Sequence, residues 1–448
     1  MMRATVFFGL IVTACLSAAH AAGEARPGLL ITHRPSAVAL YFTWLLDGDS
    51  DRDAHVGVEY RKKGREEWQK AAPGVRARAD ASFTACVGGL EPQTEYECRL
   101  TLSDPDGVQG EAIRTVSVRT TALHEYAPNF PQGFAGRFAR GKPVLRIKDG
   151  DTVLTTTALG NAARGPVFVE GAEPGDALAV RLESLEPEEY GRSTAQLVSH
   201  VLDPQTREAN KDLKYVHAEW KVDPKTGIAA FTKVRDFGKW DGKNVVDVPV
   251  NLGTVELPVR PMIGTIGVAL DVDESKAPNG MSSGTHGGNM DWSGTVAGVT
   301  MYFPVAVPGA LLCLGDAHAL QGDGEITNEA IEIGMKVRFT AWTVKGWKIN
   351  WPRGEDADYI FAIGCSPPPL DRALQAATSE IYSWLQTDYK LDRRSAAILM
   401  GVCLKYEVGN IVDPAWTMVC KVPKSVLRRF GTSPNERPWP AVPSASRP

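Results

Sequence analysis

Short β-prone runs, each closed by a glycine, proline or aspartate turn, constrain this chain's fold more than any other feature. Between residues 24 and 121 they read ALYFTWLL, HVGVEYRKK, SFTACVGG, TEYECRLTLSD and RTVSVRTT. Turn residues separate them at Asp47-Gly48-Asp49, Pro73-Gly74, Gly88-Gly89 and Pro105-Asp106-Gly107. Short strands at this spacing predict an antiparallel β-sandwich. The 43 glycines and 30 prolines follow no collagen period, so a β-rich α+β fold with many turns is expected and long helical bundles are not. At 448 residues the chain is too long for one ordinary domain. With 43% hydrophobic and 23% charged residues it should bury a proper core. Lys and Arg number 49 against 53 Asp and Glu, a net charge of −4 that gives no electrostatic reason to expect nucleic acid as a partner.

The first 22 residues carry an early charge at Arg3, an apolar run from Val6 to Leu16 and the small-residue exit Ala19-His20-Ala21. This is the layout of an export signal cleaved after Ala21 or Ala22, which predicts a secreted or periplasmic protein. The alternative is a lipid anchor on Cys15, because Val12-Thr13-Ala14-Cys15 resembles a loose lipoprotein box. No segment reaches the roughly 20 apolar residues of a membrane span. Beyond Cys15 there are six cysteines, spread too thinly for a disulfide scaffold and without a CxxC pair for structural zinc.

Residues 24–121 resemble a fibronectin type III domain. Trp44 falls where such domains place a core tryptophan on an early strand, and GLEPQTEYECRL resembles their turn into a late strand led by Tyr96. Cys86 and Cys98 flank that turn, either bridged or as buried free thiols. The segment holds no catalytic constellation, so binding or spacing is its expected role, with a ligand the sequence does not name. Residues 122–136 read as a linker and 431–448, rich in proline and serine, as a disordered tail. One catalytic unit over 137–430 is the simplest account of what remains.

Within that unit, GPVFVEGAEPGD (165–176) reads either as a hairpin corner or as part of a site. The denser chemistry lies in His286-Gly287-Gly288-Asn289-Met290-Asp291 and in Gly315-Asp316-Ala317-His318, followed by Gly322-Asp323-Gly324-Glu325. The apolar run between them predicts a strand that delivers Asp316 and His318 to a sheet edge. Residues two apart in a strand share a face, so these two side chains can converge on one ion. Imidazole with carboxylate suits a divalent metal; zinc is favoured, with calcium as the alternative because oxygen donors outnumber nitrogen. The bland alternative is hydrogen-bonded scaffolding and plain turns. His200 and His217 sit in strand-like runs and read as structural.

Five ordered segments, GPVFVEGAEPGDALAV, PMIGTIGVA, HGGNMD, YFPVAVPGALLCLGDAHALQGDGEI and ALQAATSEIYSWL with VGNIVDPAWTMVCKVP, together resemble the acetamidase/formamidase family over about residues 140 to 427. The resemblance implies a hydrolase of small linear amides that yields ammonia and a carboxylate. It also implies β-sandwich or barrel parts with a smaller α/β portion, and assembly as a homo-oligomer. Chemical need then places the roles: His286, Asp291, Asp316 and His318 for a divalent ion, Glu325 or Asp323 as general base, and Asn289 as an oxyanion donor. No GxSxG elbow or Ser-x-x-Lys pair marks a serine nucleophile, and Cys313 has no histidine beside it. GDTVLTTTALGNAARGPVF is compressed and apolar relative to the family, and the segment from Pro187 to Arg260, with Tyr190, His217 and Trp240, is divergent. Both departures bear on substrate choice. The competing expectation is a non-catalytic extracytoplasmic binding protein that keeps the amidase fold as scaffold.

Overall fold

The structure is a computed structural model that describes residues 23–77, 82–126, 137–160, 164–237 and 245–432. The leader with Cys15, residues 127–136, Trp240 and residues 433–448 of the tail lie outside the described residues. Among the described residues no helix is long and apolar enough to cross a membrane.

The amino-terminal runs form two four-stranded sheets. One has the order Pro27–Thr32, Ala39–Leu46, Ser82–Gly88, Val75–Arg76, and the other Gln69–Lys70, His55–Lys62, Glu95–Ser103, Ile113–Arg119. Strict alternation along Glu95–Ser103 buries Tyr96, Cys98, Leu100 and Leu102 against Trp44, Phe42, Leu40 and Val87 of the opposite layer. Each inward-facing residue contributes on the order of 1.5–3 kcal/mol by leaving water. The Tyr96 hydroxyl accepts a hydrogen bond of 3.0 Å from the Glu91 backbone N–H, which ties the strand to the turn before it. Tyr96→Phe removes that acceptor and should cost about 1 kcal/mol, read as a lowered midpoint in thermal denaturation. Cys86 and Cys98 sit on different sheets, the first exposed and the second buried, and both are free thiols, so the bridged alternative falls.

The stretch read as a linker is partly strand. Leu123–Tyr126 pairs in parallel with Thr152–Thr157 and joins the sheet system of the larger unit. The 18-residue strand Ala177–Thr194 runs antiparallel to Glu332–Val344 and to Thr300–Pro304. Leu312–His318 is flanked by Met262–Gly267 and by Arg164–Val169, so it is an interior strand and not the sheet edge expected for it. The 165–176 segment is the corner: Asp176 is buried and paired with Lys345, while Glu170 and Glu173 face solvent.

Tyr359–Ser366 and Trp416–Pro423 pair antiparallel under the helix Asp371–Thr387. Ala373, Ala377, Ile381, Trp384 and Leu385 recur at helical spacing and form its buried stripe. Close approach depends on Gly364, where a Cβ would lie 2.1 Å from the Ala373 carbonyl oxygen. This is the smaller helical portion, built on antiparallel strands and therefore α+β. The fold as a whole is β-rich, as expected.

Candidate active site

Five separate segments bring one set of polar side chains together. Ligand atoms of Asp291, His318 and Glu325 lie within 4.8 Å of one another, and so do those of Asp316, His318 and Glu332. All five residues are buried. Asp291, Asp316 and Glu325 each adopt the left-handed backbone, with φ of 42°, 56° and 51°. That conformation costs an L-residue roughly 1 kcal/mol or more, and such strain concentrates where a side chain must be aimed. Opposite Asp316 stands Gly264, where a Cβ would come within 2.2 Å of Asp291 Oδ1 and 3.0 Å of both the Asp316 carbonyl oxygen and its Oδ2. Only a residue without a side chain lets the two carboxylates approach from either side.

The tautomer of His318 follows from its neighbours. Gln321 donates both amide hydrogens to the carbonyl oxygens of Asp291 and Gly409, which leaves its Oε1 as an acceptor 2.9 Å from His318 Nδ1. Nδ1 therefore carries a proton. Nε2 faces 2.8 Å to Glu332 Oε1 and 3.6 Å to Asp316 Oδ1 without a hydrogen-bond partner of good geometry. Asp291 Oδ1, Asp316 Oδ1 and Glu332 Oε2 are likewise buried without a donor. A neutral imidazole lone pair against carboxylate oxygens is repulsive, so this arrangement calls for a proton or a cation at the centre. The mixed nitrogen and oxygen donors fit a divalent ion held by Asp316, His318 and Glu332.

A second layer orients these groups. Asn289 Nδ2 donates to Asp291 Oδ2 at 2.6 Å and to Asp413 Oδ2 at 2.5 Å, while its Oδ1 accepts from Thr265. Asn410 Nδ2 donates to Asp291 Oδ2 at 3.1 Å. Gly324 and the 409–411 loop exchange backbone hydrogen bonds, which bring Asn410 and Asp413 to the cluster. Burial, followed by neighbouring carboxylates, holds Asp291 and Glu325 well above the usual carboxylate range. Burial likewise pushes Glu332 up to about 7 and Asp413 up to about 6. For His318 burial favours the neutral ring, but Glu332 and Asp316 outweigh it and raise its pKa.

Asp316, Glu325, Glu332 and Asp413 line a cavity of about 160 Å³ together with Arg192 and Met281. The Arg192 Nε is buried and has no hydrogen-bond partner. A larger cavity of about 340 Å³ lies between the sandwich and the second unit, but its principal charges are already paired, Arg181 with Glu183 and Lys424 with Glu355.

Of the residues singled out in the sequence, Asp291, Asp316, His318 and Glu325 meet here. Three others do not fill their expected roles. His286 is buried against Phe138, with ring centroids 4.6 Å apart and a pKa lowered to about 4 by burial, and it belongs to neither ligand group. Asp323 is exposed and accepts from Ser293 Oγ at 3.4 Å, away from the buried groups. Asn289 spends its amide hydrogens on two carboxylates and has none left for an oxyanion. Glu332, Asp413, Gln321 and Asn410 went unassigned. Asn410 and Asp413 lie in VGNIVDPAW and Gln321 in GDAHALQGDGEI, whereas Glu332 lies outside every segment that carries the resemblance.

The surrounding chain has known counterparts. Residues 251–351, which contain Asp291, Asp316, His318, Glu325 and Glu332, match the model of the Acetamidase/Formamidase family. A formamidase of Methylophilus methylotrophus is 27% identical over 191 residues, covering 36% of this chain and 46% of that protein. An acetamidase of Mycolicibacterium smegmatis is 29% identical over 217 residues, covering 41% and 53%. The chain thus spans about half the length of the curated relatives it matches. The crystal structure of an acetamidase from Yersinia enterocolitica superposes with a TM-score of 0.57 at 28% identity, covering 68% of this chain and 93% of that one. A predicted acetamidase/formamidase from Thermoanaerobacter tengcongensis gives 0.56 at 27% identity, covering 69% and 98%. The fold matches the acetamidase and formamidase structures, and all three kinds of comparison support that family.

Proposed function

We propose that this protein hydrolyses the carbon–nitrogen bond of small linear amides of the formamide and acetamide kind, giving a carboxylic acid and ammonia. The observation that carries this reading is His318, its Nδ1 proton fixed by Gln321 and its Nε2 directed at Glu332 and Asp316 beside a cavity sized for a few heavy atoms. A divalent ion bound by Asp316, His318 and Glu332, zinc being favoured by the mixed donors, would stabilise the developing oxyanion and acidify the attacking water. Glu325, buried at the cavity wall, would be ionised with a cation beside it and would then take a proton from the attacking water as that oxygen bonds to the amide carbon. The same carboxyl then delivers the proton to the departing nitrogen as the C–N bond breaks, so atoms and charge balance. Arg192, with an unpartnered Nε, supplies a donor for the carbonyl oxygen in the role that Asn289 cannot fill. Asn289, Asn410 and Thr265 keep the carboxylates in place.

The amino-terminal sandwich is read as an appended module and residues 137–430 as the hydrolytic unit. The leader supports a secreted or periplasmic location, and the family resemblance supports a homo-oligomer.

Ammonia release from formamide and acetamide tests the reading. Release that a chelator abolishes and added zinc restores is the expected result. Release indifferent to chelator would turn attention to a protein nucleophile. Silence from folded, metal-loaded protein would favour the binding scaffold.

A further inference from the structure

We infer that His200 is a positioning residue of the hydrolytic site: its ring ties together the two loops that carry Glu325 and Asp413, and so keeps both carboxyl groups at the cavity. The catalytic consequence rests on the amide-hydrolysing reading of that cluster, whereas the tie itself does not.

Glu325 and Asn328 sit in the 322–329 turn, and Asn410 and Asp413 in the 409–413 loop. Both stretches depend on outside contacts. In the turn, Glu325 and Asn328 have φ of 51° and 68°, a conformation that L-residues keep only where their surroundings impose it. The loop is anchored at one end, where the Gly409 N–H donates to the Thr417 carbonyl oxygen and the Thr417 N–H to that of Asn410, both at 2.9 Å. Past Ile411 the anchors weaken. The Val412 and Asp413 N–H groups reach Asn410 Oδ1 at 3.4 Å each, near the limit of a hydrogen bond.

The segment 194–213 crosses from the turn to the loop. Thr194 Oγ1 donates to the Thr327 carbonyl oxygen, and the Val198 N–H to that of Ile326 at 2.9 Å. Two residues on, His200 reaches the other side. Its Nε2 lies 2.5 Å from the Ile411 carbonyl oxygen, and its ring stacks on Trp416 with centroids 5.4 Å apart and planes inclined by 20°. A carbonyl oxygen can only accept, so Nε2 carries the proton. Local bonds hold the segment in shape. Arg207 donates from Nε to the Ser199 carbonyl oxygen at 2.8 Å and from Nη2 to that of Leu202 at 3.3 Å. Asp203 caps the short helix Pro204–Ala209 by accepting from the N–H groups of Gln205 and Thr206 at 2.9 and 3.1 Å. None of that helix's residues is buried, so the segment bridges the two loops without a core of its own.

An exposed histidine with one hydrogen bond to backbone has little effect on stability. What distinguishes His200 is where its bond lands. Ile411 lies between Asn410, whose Nδ2 donates to Asp291 Oδ2, and Asp413, which lines the cavity. The Ile411 N–H in turn donates to the Gly324 carbonyl oxygen at 3.0 Å, next to Glu325. Without the His200 donor the far half of the loop is free to swing outward, and the turn loses a neighbour that imposes its positive φ. Asp413 and Glu325 then spend less time facing the reacting atoms.

The test compares the full chain with His200→Phe, which keeps a ring on Trp416 but has no donor, and with His200→Gln, whose side-chain amide replaces the missing N–H. Peptide-resolved hydrogen exchange should show the backbone of 322–329 and 409–415 opening about tenfold more readily in the Phe variant, the effect of one lost hydrogen bond. With formamide its kcat should fall by about tenfold while KM stays within about twofold, because the displaced groups act on the reacting atoms. His200→Gln should recover most of both losses, and all three proteins should melt within about 2 °C of one another. Equal exchange in wild type and His200→Phe overturns the inference. So does a Gln variant that recovers nothing, or a KM that rises with kcat unchanged. If wild type hydrolyses no amide and exchange still separates the variants as expected, the tie stands and the amide-hydrolysing reading alone fails.

Discussion

Replacing His318 by alanine should lower ammonia release from formamide by about 10³-fold or more, equivalent to about 4 kcal/mol of barrier. His318 is the one group shared by both sets of converging ligand atoms, and its Nε2 is the sole nitrogen donor in either. Its removal leaves Asp316 and Glu332 facing each other across an unfilled volume, with no imidazole to complete a binding site. Metal content by mass spectrometry should fall with activity, while circular dichroism keeps its β-rich signature. His286→Ala provides the contrast. That side chain packs on Phe138 outside the cluster, so its loss should cost about 1–3 kcal/mol of stability and leave the bound metal in place. A His318→Ala protein within tenfold of wild type, or a His286→Ala protein stripped of metal, would show that the roles have been assigned to the wrong histidine.

Gly264→Ala should be nearly as damaging, with a single methyl group. The added Cβ would sit 2.2 Å from Asp291 Oδ1 and 3.0 Å from the backbone oxygen of Asp316. The Asp291 carboxylate can rotate away only by giving up the donors from Asn289 and Asn410 that position it. The Asp316 carbonyl cannot move without disturbing the strand Leu312–His318. Overpacking of this kind costs about 1–3 kcal/mol of stability. A displacement of the order of 1 Å at the reacting groups costs about 10²-fold in rate. Thermal denaturation and steady-state kinetics on the same preparation measure both, and a variant with normal rate and midpoint would refute the geometry described for this pair.

Some of the site was legible in the chain. Asp316 and His318 are two apart in a β-prone run, and Asn289 and Asp291 are two apart after a glycine pair, so each pair shares a side. His286 stands in the turn before the three-residue strand Gly287–Asn289, and its ring lies against Phe138 instead of in the cluster. The partner the sequence did not show is Glu332. It stands directly opposite His318 in the antiparallel register, and nothing local distinguishes it from any other glutamate at the start of a strand. Asp413 and Asn410 arrive on a loop whose place is set by backbone pairing with Gly324. Asp323 and Glu325 show the limit most plainly. They are two apart in one turn, yet the left-handed backbone at Glu325 turns its side chain into the cluster while Asp323 stays in solvent.

By itself the sequence determined the β-rich character, the sandwich at the amino-terminal end and the stretch where the chemistry is concentrated. Those follow from local causes: turn residues, period-two burial and the clustering of ligand-type side chains along the chain. Tertiary structure alone decided which carboxylates face His318, which nitrogen of that ring is free and which asparagine is spent on support. Those depend on cross-strand register, on backbone at positive φ and on hydrogen bonds between segments more than a hundred residues apart, and none of the three leaves a mark on neighbouring residues.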